Sequence, residues 1–202
     1  IKSIEDGTAL SVNESENAFD QILLQKVNDN EIIDFLTVLS KKGESVDEIF
    51  GAVISIKKKA NIIKGFSNTF DTCGTGGDES GTFNISTITA IITAACGVCV
   101  AKHGNKAVSS KCGSGDVLEA LNIKINLEPQ DIEKQINKNN FGFMFAPNYH
   151  SAMKYVGPTR KKIGKRTIFN MIGPLSSPAL VQRQVVGVFD KKLLKIFGDG
   201  LK

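Results

Sequence analysis

The fold class this sequence predicts is α/β: a small all-helical N-terminal domain, then a mostly parallel sheet flanked by helices. Three observations carry that expectation. Residues 1–65 place their apolar side chains at helical spacing only. From Thr69 onward, short apolar runs alternate with helical stretches, the pattern of βαβ units. Polar, glycine-bearing loops follow the first two of those runs, where open parallel sheets bind ligands.

In the first domain, Ala18–Val27 puts Phe19, Ile22, Leu23 and Leu24 on one helical face. Glu31–Lys42 does the same with Ile32, Phe35, Leu36 and Leu39, and Gly43 stops it. Ser45 and Glu48 match a capping box, opening a helix that runs through Ile49, Val53 and Ile56 toward Lys59. In the second domain, strands are expected at Thr69–Cys73, Val98–Lys102, Ile123–Asn126, Phe141–Ala146 and Gln184–Phe189. Helices are expected at Ile85–Cys96, Asp116–Leu121, Pro129–Asn137 and Lys191–Phe197, and a helical pattern spans Tyr149–Ile172. The domains are therefore drawn as 1–65, joined by helices from about 149–175, and 66–202.

Charge narrows the classes. Lys and Arg number 25 against 21 Asp and Glu, a net +4. That is mild for a nucleic-acid binder, which concentrates its basic residues. The densest basic stretch, Lys154–Arg166, reads as a solvated helix face or an anion-attracting rim. No apolar run reaches the roughly 18 residues a membrane span needs, and the N-terminus lacks a signal-peptide pattern. A cytoplasmic protein without nucleic-acid or membrane partners is expected. Cys96 and Cys99 form C-x-x-C, but Cys73 and Cys112 lack metal-site spacing, so all four are expected to be small buried hydrophobes.

The chemistry sits in three segments. Asp71-Thr72-Cys73-Gly74-Thr75-Gly76-Gly77-Asp78 lies between a strand and a helix. Its glycines let backbone N–H groups turn inward as an anion nest at a helix start, with a plain tight turn as the alternative. It matches neither the P-loop nor the dinucleotide fingerprint. Asn84-Ile85-Ser86-Thr87-Ile88-Thr89-Ala90 places more amide and hydroxyl groups at a helix start than capping requires. The third segment, Lys102 to Asp116, follows the next strand and should converge on the same edge of the sheet.

Together these strings resemble the anthranilate phosphoribosyltransferase family. They read G-T-G-G-D, N-I-S-T-I-T-A and K-H-G-N-K-A-V-S-S-K-C-G-S-G-D, with F-A-P-N-Y-H-S-A-M-K and R-T-I-F-N-M-I-G-P-L further on. The resemblance implies transfer of the phosphoribosyl group of phosphoribosyl pyrophosphate to anthranilate, with Mg²⁺ as cofactor, by a homodimer that pairs through the helical domain. It implies that Gly74, Gly77, Asp78, Thr82, Asn84, Ile85, Ser86 and Thr87 hold phosphoribosyl pyrophosphate, with Ser86 also reaching Mg²⁺. Lys102, His103, Gly104, Asn105, Lys106, Ala107, Val108, Ser109 and Ser110 would wrap that substrate, and Ser114 would complete the pocket. Gly74, Asn105 and Arg160 would meet anthranilate, Arg160 by gripping its carboxylate in a two-bond fork. His103 is a proton acceptor or a structural residue, and His150 is expected to pack or orient a helix.

Two departures from the family pattern stand out. Lys106 occupies a position where the family usually has Arg, and the family's acidic Asp-Glu pair for a second Mg²⁺ falls after Lys202. The resemblance thus implies a truncated α/β domain, inactive or nearly so by itself. A pyrimidine nucleoside phosphorylase-like enzyme and a non-catalytic binder of phosphorylated ligands or nucleic acid are the rival readings. The first predicts phosphate-dependent nucleoside cleavage and the second binding without turnover.

Overall fold

Three helices of the N-terminal segment start on the same device. After the single turn α1 (Lys2–Glu5) come α2 (Val12–Leu23), α3 (Asp29–Lys42) and α4 (Val46–Lys58). Their caps, Ser11, Asn28 and Ser45, each exchange hydrogen bonds with the glutamate three residues on. This satisfies N–H groups that a helix start otherwise leaves orphaned. The computed structural model describes residues 1–63, 68–76, 83–107 and 112–201. Contacts divide the chain into two units.

The first unit holds Ile1–Ala60, His150–Ser176 and Asp190–Lys202. Its core buries Phe19, Ile22, Leu36, Leu39, Ile49 and Val53, the apolar faces of the three capped helices. α2 and α4 approach closely: a Cβ on Gly51 would lie 2.4 Å from the Val12 carbonyl oxygen. Ser15 Oγ donates to the Glu48 carbonyl across this contact at 2.7 Å.

The second unit holds Asn61–Tyr149 and Ser177–Phe189. Its chain order begins with β1 (Phe70–Gly74), α5 (Ile85–Ala95), β2 (Val100–Gly104), α6 (Ser114–Ala120) and α7 (Pro129–Asn139). β3 (Phe141–Phe145), α8 (Ala146–Tyr149) and, later in the chain, β4 (Arg183–Gly187) complete it. The strands pair in parallel in the order β3-β2-β1-β4. Ala101, Ile132, Ile136 and Met144 form one core cluster, and Leu118, Ile125 and Phe143 another.

One expected strand is not there. Ile123–Asn126 joins no ladder. Asn122 adopts φ +58° after α6, and the Ile123 N–H bonds back to the Leu118 carbonyl at 2.8 Å. Ile125 then packs on Leu118 and Phe143, so the apolar alternation reports packing rather than pairing.

The chain returns to the first unit in short pieces rather than the continuous pattern expected over Tyr149–Ile172. A 3-10 turn covers Ser151–Tyr155, followed by α9 (Gly157–Ile163) and α10 (Ile168–Ile172). Pro158 suits the first turn of α9, and Gly164 at φ +63° ends it. α11 (Leu193–Gly200) packs on α4 within the same unit. No helix among the described residues is long and apolar enough to cross a membrane.

Candidate functional site

In a parallel sheet all strand ends of one kind share an edge, and here the loops after β1 and β2 leave from the same edge. Gly74 is the exposed last residue of β1. The Thr75 N–H donates to the Gly187 carbonyl at 2.8 Å, and Thr75 Oγ1 accepts from the Phe189 N–H at 3.1 Å. The start of the glycine loop is thereby tied to the end of β4. Gly76 takes φ +67°, the conformation for which glycine is suited. Gly77, Asp78, Thr82, Val108, Ser109 and Ser110 lie outside the described residues.

Lys102, on β2, is 1% exposed, and its Nζ donates to the Thr72 carbonyl at 2.5 Å and to Ser86 Oγ at 3.4 Å. This brings β1, β2 and the first turn of α5 onto one ammonium. Thr87 and His103 are buried beside their neighbours in the chain, while Ile85 is exposed. Asn84 does not cap α5 with its side chain. Its amide instead donates to the Cys112 and Gly113 carbonyls at 3.3 and 3.4 Å, linking the start of α5 to the segment before α6.

Asp71 and Asp116 are partners that sequence reasoning did not single out. Asp71 is fully buried; its Oδ1 accepts from the His103 N–H at 3.2 Å and its Oδ2 from Gln184 Nε2 at 3.1 Å. Burial pushes its carboxyl up to about 6 against the pull of Lys102 and these hydrogen bonds. An acid inside a strand candidate, three residues before the first glycine of the loop, was the available signal. Asp116 Oδ2 accepts from the Ala107 and Gly113 N–H groups at 2.8 and 2.7 Å, and these bonds to backbone N–H hold its carboxyl below the usual range.

The lysine loop's described ends are therefore closely held. Asn105 is exposed, and its carbonyl accepts from Gly115 N and Ser114 Oγ, both at 3.1 Å. Lys106 forms a half-exposed ion pair with Glu119 at 2.8 Å. Gly104 is half-buried at the end of β2. A Cβ on Gly113 would lie 2.4 Å from the Ala107 nitrogen and 2.5 Å from the Lys106 carbonyl carbon, both backbone atoms. Gly113→Ala is thus expected to cost about 1–3 kcal/mol through overpacking. A thermal melt checks it, and an unchanged midpoint would mean that the two backbones are not this close.

Arg160 belongs to the first unit, on α9. Its guanidinium lies 5.4 Å from the Phe169 ring centroid, with no ion-pair partner among the described residues. Burial lowers its pKa. Elsewhere in the basic stretch, Lys162 pairs with Asp29 at 2.6 Å. Burial pushes the His150 imidazole down to about 4, a neutral ring at ordinary pH. The cysteines depart from expectation: all four are free, but Cys96 and Cys112 are exposed and Cys73 and Cys99 half-buried. Cys96 ends a helix and Cys112 lies in a loop, so neither has an element's interior to fill.

No group of three or more His, Cys, Asp or Glu among the described residues could hold a metal ion. Mg²⁺ bound chiefly through a substrate's phosphates needs only one or two protein oxygens. Ser86 Oγ, at the sheet edge beside the Lys102 ammonium, is a hard oxygen donor of that kind.

The helical-bundle domain model of a glycosyl transferase family matches residues 1–60, and its a/b domain model matches residues 67–201. An anthranilate phosphoribosyltransferase of Pelagibacter ubique is 67% identical over 201 residues, covering 100% of this chain and 61% of the relative. The crystal structure of anthranilate phosphoribosyltransferase from Thermus thermophilus superposes with a TM-score of 0.93 at 36% identity, over 99% of this chain and 61% of that one. The Saccharomyces cerevisiae enzyme in complex with PRPP and Mg gives 0.87 at 30% identity, over 95% and 57%. The chain thus spans about three-fifths of the length of these relatives. With both domain models matched in order, the chain belongs to this glycosyl transferase family, built from a helical bundle and an α/β domain.

Proposed function

We propose that the chain is the phosphoribosyl-binding portion of an enzyme that transfers phosphoribose from phosphoribosyl pyrophosphate to anthranilate, releasing pyrophosphate. The supporting observation is the Lys102 ammonium, buried at the sheet edge between the Thr72 carbonyl and Ser86 Oγ. Gly74, Gly77, Asp78, Thr82, Asn84, Ile85, Ser86 and Thr87 serve the pyrophosphate and ribose side. The segment Lys102 to Ser110 and Ser114 enclose it. Gly74, Asn105 and Arg160 serve anthranilate, and the Arg160 fork, which has no ion-pair partner among the described residues, suits a carboxylate.

In the reaction the anthranilate nitrogen forms a bond to C1 of the ribose while the C1–O bond to pyrophosphate breaks, the electron pair leaving with pyrophosphate. An aryl amine is a weak nucleophile, so departure leads and charge stabilisation with positioning carries the rate. Lys102 offsets the growing negative charge. When bound, Mg²⁺ adds Lewis-acid stabilisation of the leaving pyrophosphate, with Ser86 as its protein oxygen. The proton lost by the amine goes to an acceptor, for which His103 is the candidate. On the resemblance alone, the reading extends to a homodimer formed through the helical unit and to a cytoplasmic setting; sedimentation at micromolar concentration tests the dimer.

Calorimetric titration with phosphoribosyl pyrophosphate and Mg²⁺ tests the site. Saturable binding is expected, weakened at least tenfold by Lys102→Met, which removes the ammonium and keeps the stem. A folded parent chain that shows no binding would overturn the reading.

A further inference from the structure

β1 and β2 pair only through Phe70 and Val100, whereas β1–β4 and β2–β3 each pair over five positions. The next rung of a continued parallel ladder would join the Thr72 carbonyl to the His103 N–H. No register pair is formed at that rung, and both groups have side-chain partners. The Thr72 carbonyl accepts from Lys102 Nζ at 2.5 Å. The His103 N–H donates to Asp71 Oδ1 at 3.2 Å. Two charged side chains thus bond the two backbone groups that this rung would join.

This substitution is costly, because each charge is taken out of water. Asp71 is 0% exposed and Lys102 1%. A neutral pair would leave the ladder free to close and spare both desolvation penalties. Asp71 is also held from the other side, since Gln184, its register partner on β4, donates to Oδ2. Lys102 is the first of the influences that draw the Asp71 carboxyl back toward ionisation. The acid is therefore fastened to both neighbouring strands of β1 and feels the lysine as its counter-charge.

We infer that Asp71 is the positioning residue of Lys102: the pair parts the ends of β1 and β2 and sets the ammonium beside Ser86, where it can meet a phosphate ester. The inference rests on the phosphoribosyl pyrophosphate reading of the same edge. It assigns Asp71 a role through Lys102 rather than contact with the ligand. A carboxylate near an anion site would by itself repel the ligand, so simple electrostatics predicts tighter binding when it is neutralised. Positioning predicts the reverse.

The test is a double-mutant cycle of the full chain with Asp71→Asn, Lys102→Met and both, titrated with phosphoribosyl pyrophosphate and Mg²⁺. Asp71→Asn removes the charge and keeps an acceptor for the His103 N–H, while its amide NH₂ faces Gln184, whose own amide can turn to accept from it and keep that tie. A purely structural tie therefore predicts unchanged binding. The expected result is at least tenfold weaker binding in each single variant, no further loss in the double variant, and unchanged circular dichroism. Binding within twofold of the parent in Asp71→Asn, tighter binding there, or losses that multiply in the double variant would each overturn the inference. If the parent itself does not bind, the functional reading fails. The urea midpoints of the four chains then decide the inference separately: shifts that do not add support the coupling, and additive shifts overturn it.

Discussion

Replacing Phe19 by alanine is expected to cost the helical unit about 3–5 kcal/mol, the range for deleting a buried phenylalanine. Phe19 is 0% exposed and lies at the centre of an aromatic group. Its ring meets Phe35 edge-on at 5.7 Å and Phe169 at 5.6 Å. Such pairs add about 0.5–1.5 kcal/mol each beyond area burial. The loss is large against a domain's total of about 5–15 kcal/mol. It should also loosen Arg160, because the guanidinium lies over the Phe169 ring that Phe19 supports. Urea unfolding followed by circular dichroism measures the cost. A loss under about 1 kcal/mol would mean that the aromatic group does not pack this way.

The second large effect concerns pH. The Asp71 carboxyl is raised from 3.8 to about 6 in the folded chain. The native state therefore binds this proton more tightly than the unfolded state does. Its stabilising contribution is complete below about pH 4 and is lost as pH rises through about 6. The upward shift of roughly two units corresponds to on the order of 3 kcal/mol. Other carboxylates shift the other way, Glu14 and Asp116 among them, so the parent's profile alone mixes opposing contributions. The comparison of parent with Asp71→Asn isolates it. Between about pH 4 and pH 7.5 the parent should lose about 3 kcal/mol relative to the variant. A parent that gains stability relative to the variant over that range would show a carboxyl held low instead.

Local features of the sequence carried much of the fold. The pair Ser45 and Glu48 was readable as a helix start because its partners are three residues apart, and the structure shows the box. Strand candidates at Thr69–Cys73, Phe141–Ala146 and Gln184–Phe189 fall within about two residues of observed strands, the usual uncertainty of element ends. Ile123–Asn126 went the other way. Its alternation fits a strand and an extended packing segment equally, and only the ladder separates them.

What the sequence determined by itself is the succession of elements and the chemical content of the loops. Hydrophobic period, caps and glycines act over a few residues, so those features are legible along the chain. Gly74, Asn84, Ser86, Lys102 and Ser114 were named together only through the family resemblance that the loop strings carry. Tertiary structure alone decided which groups meet. Asp71 to His103, Asp71 to Gln184 and Lys102 to Thr72 join residues 32, 113 and 30 positions apart. Whether β1 and β2 close their last rung or admit two charged side chains depends on strand register and on water being absent. Neither property belongs to any single segment, because both arise only when the sheet is assembled and its edge is buried.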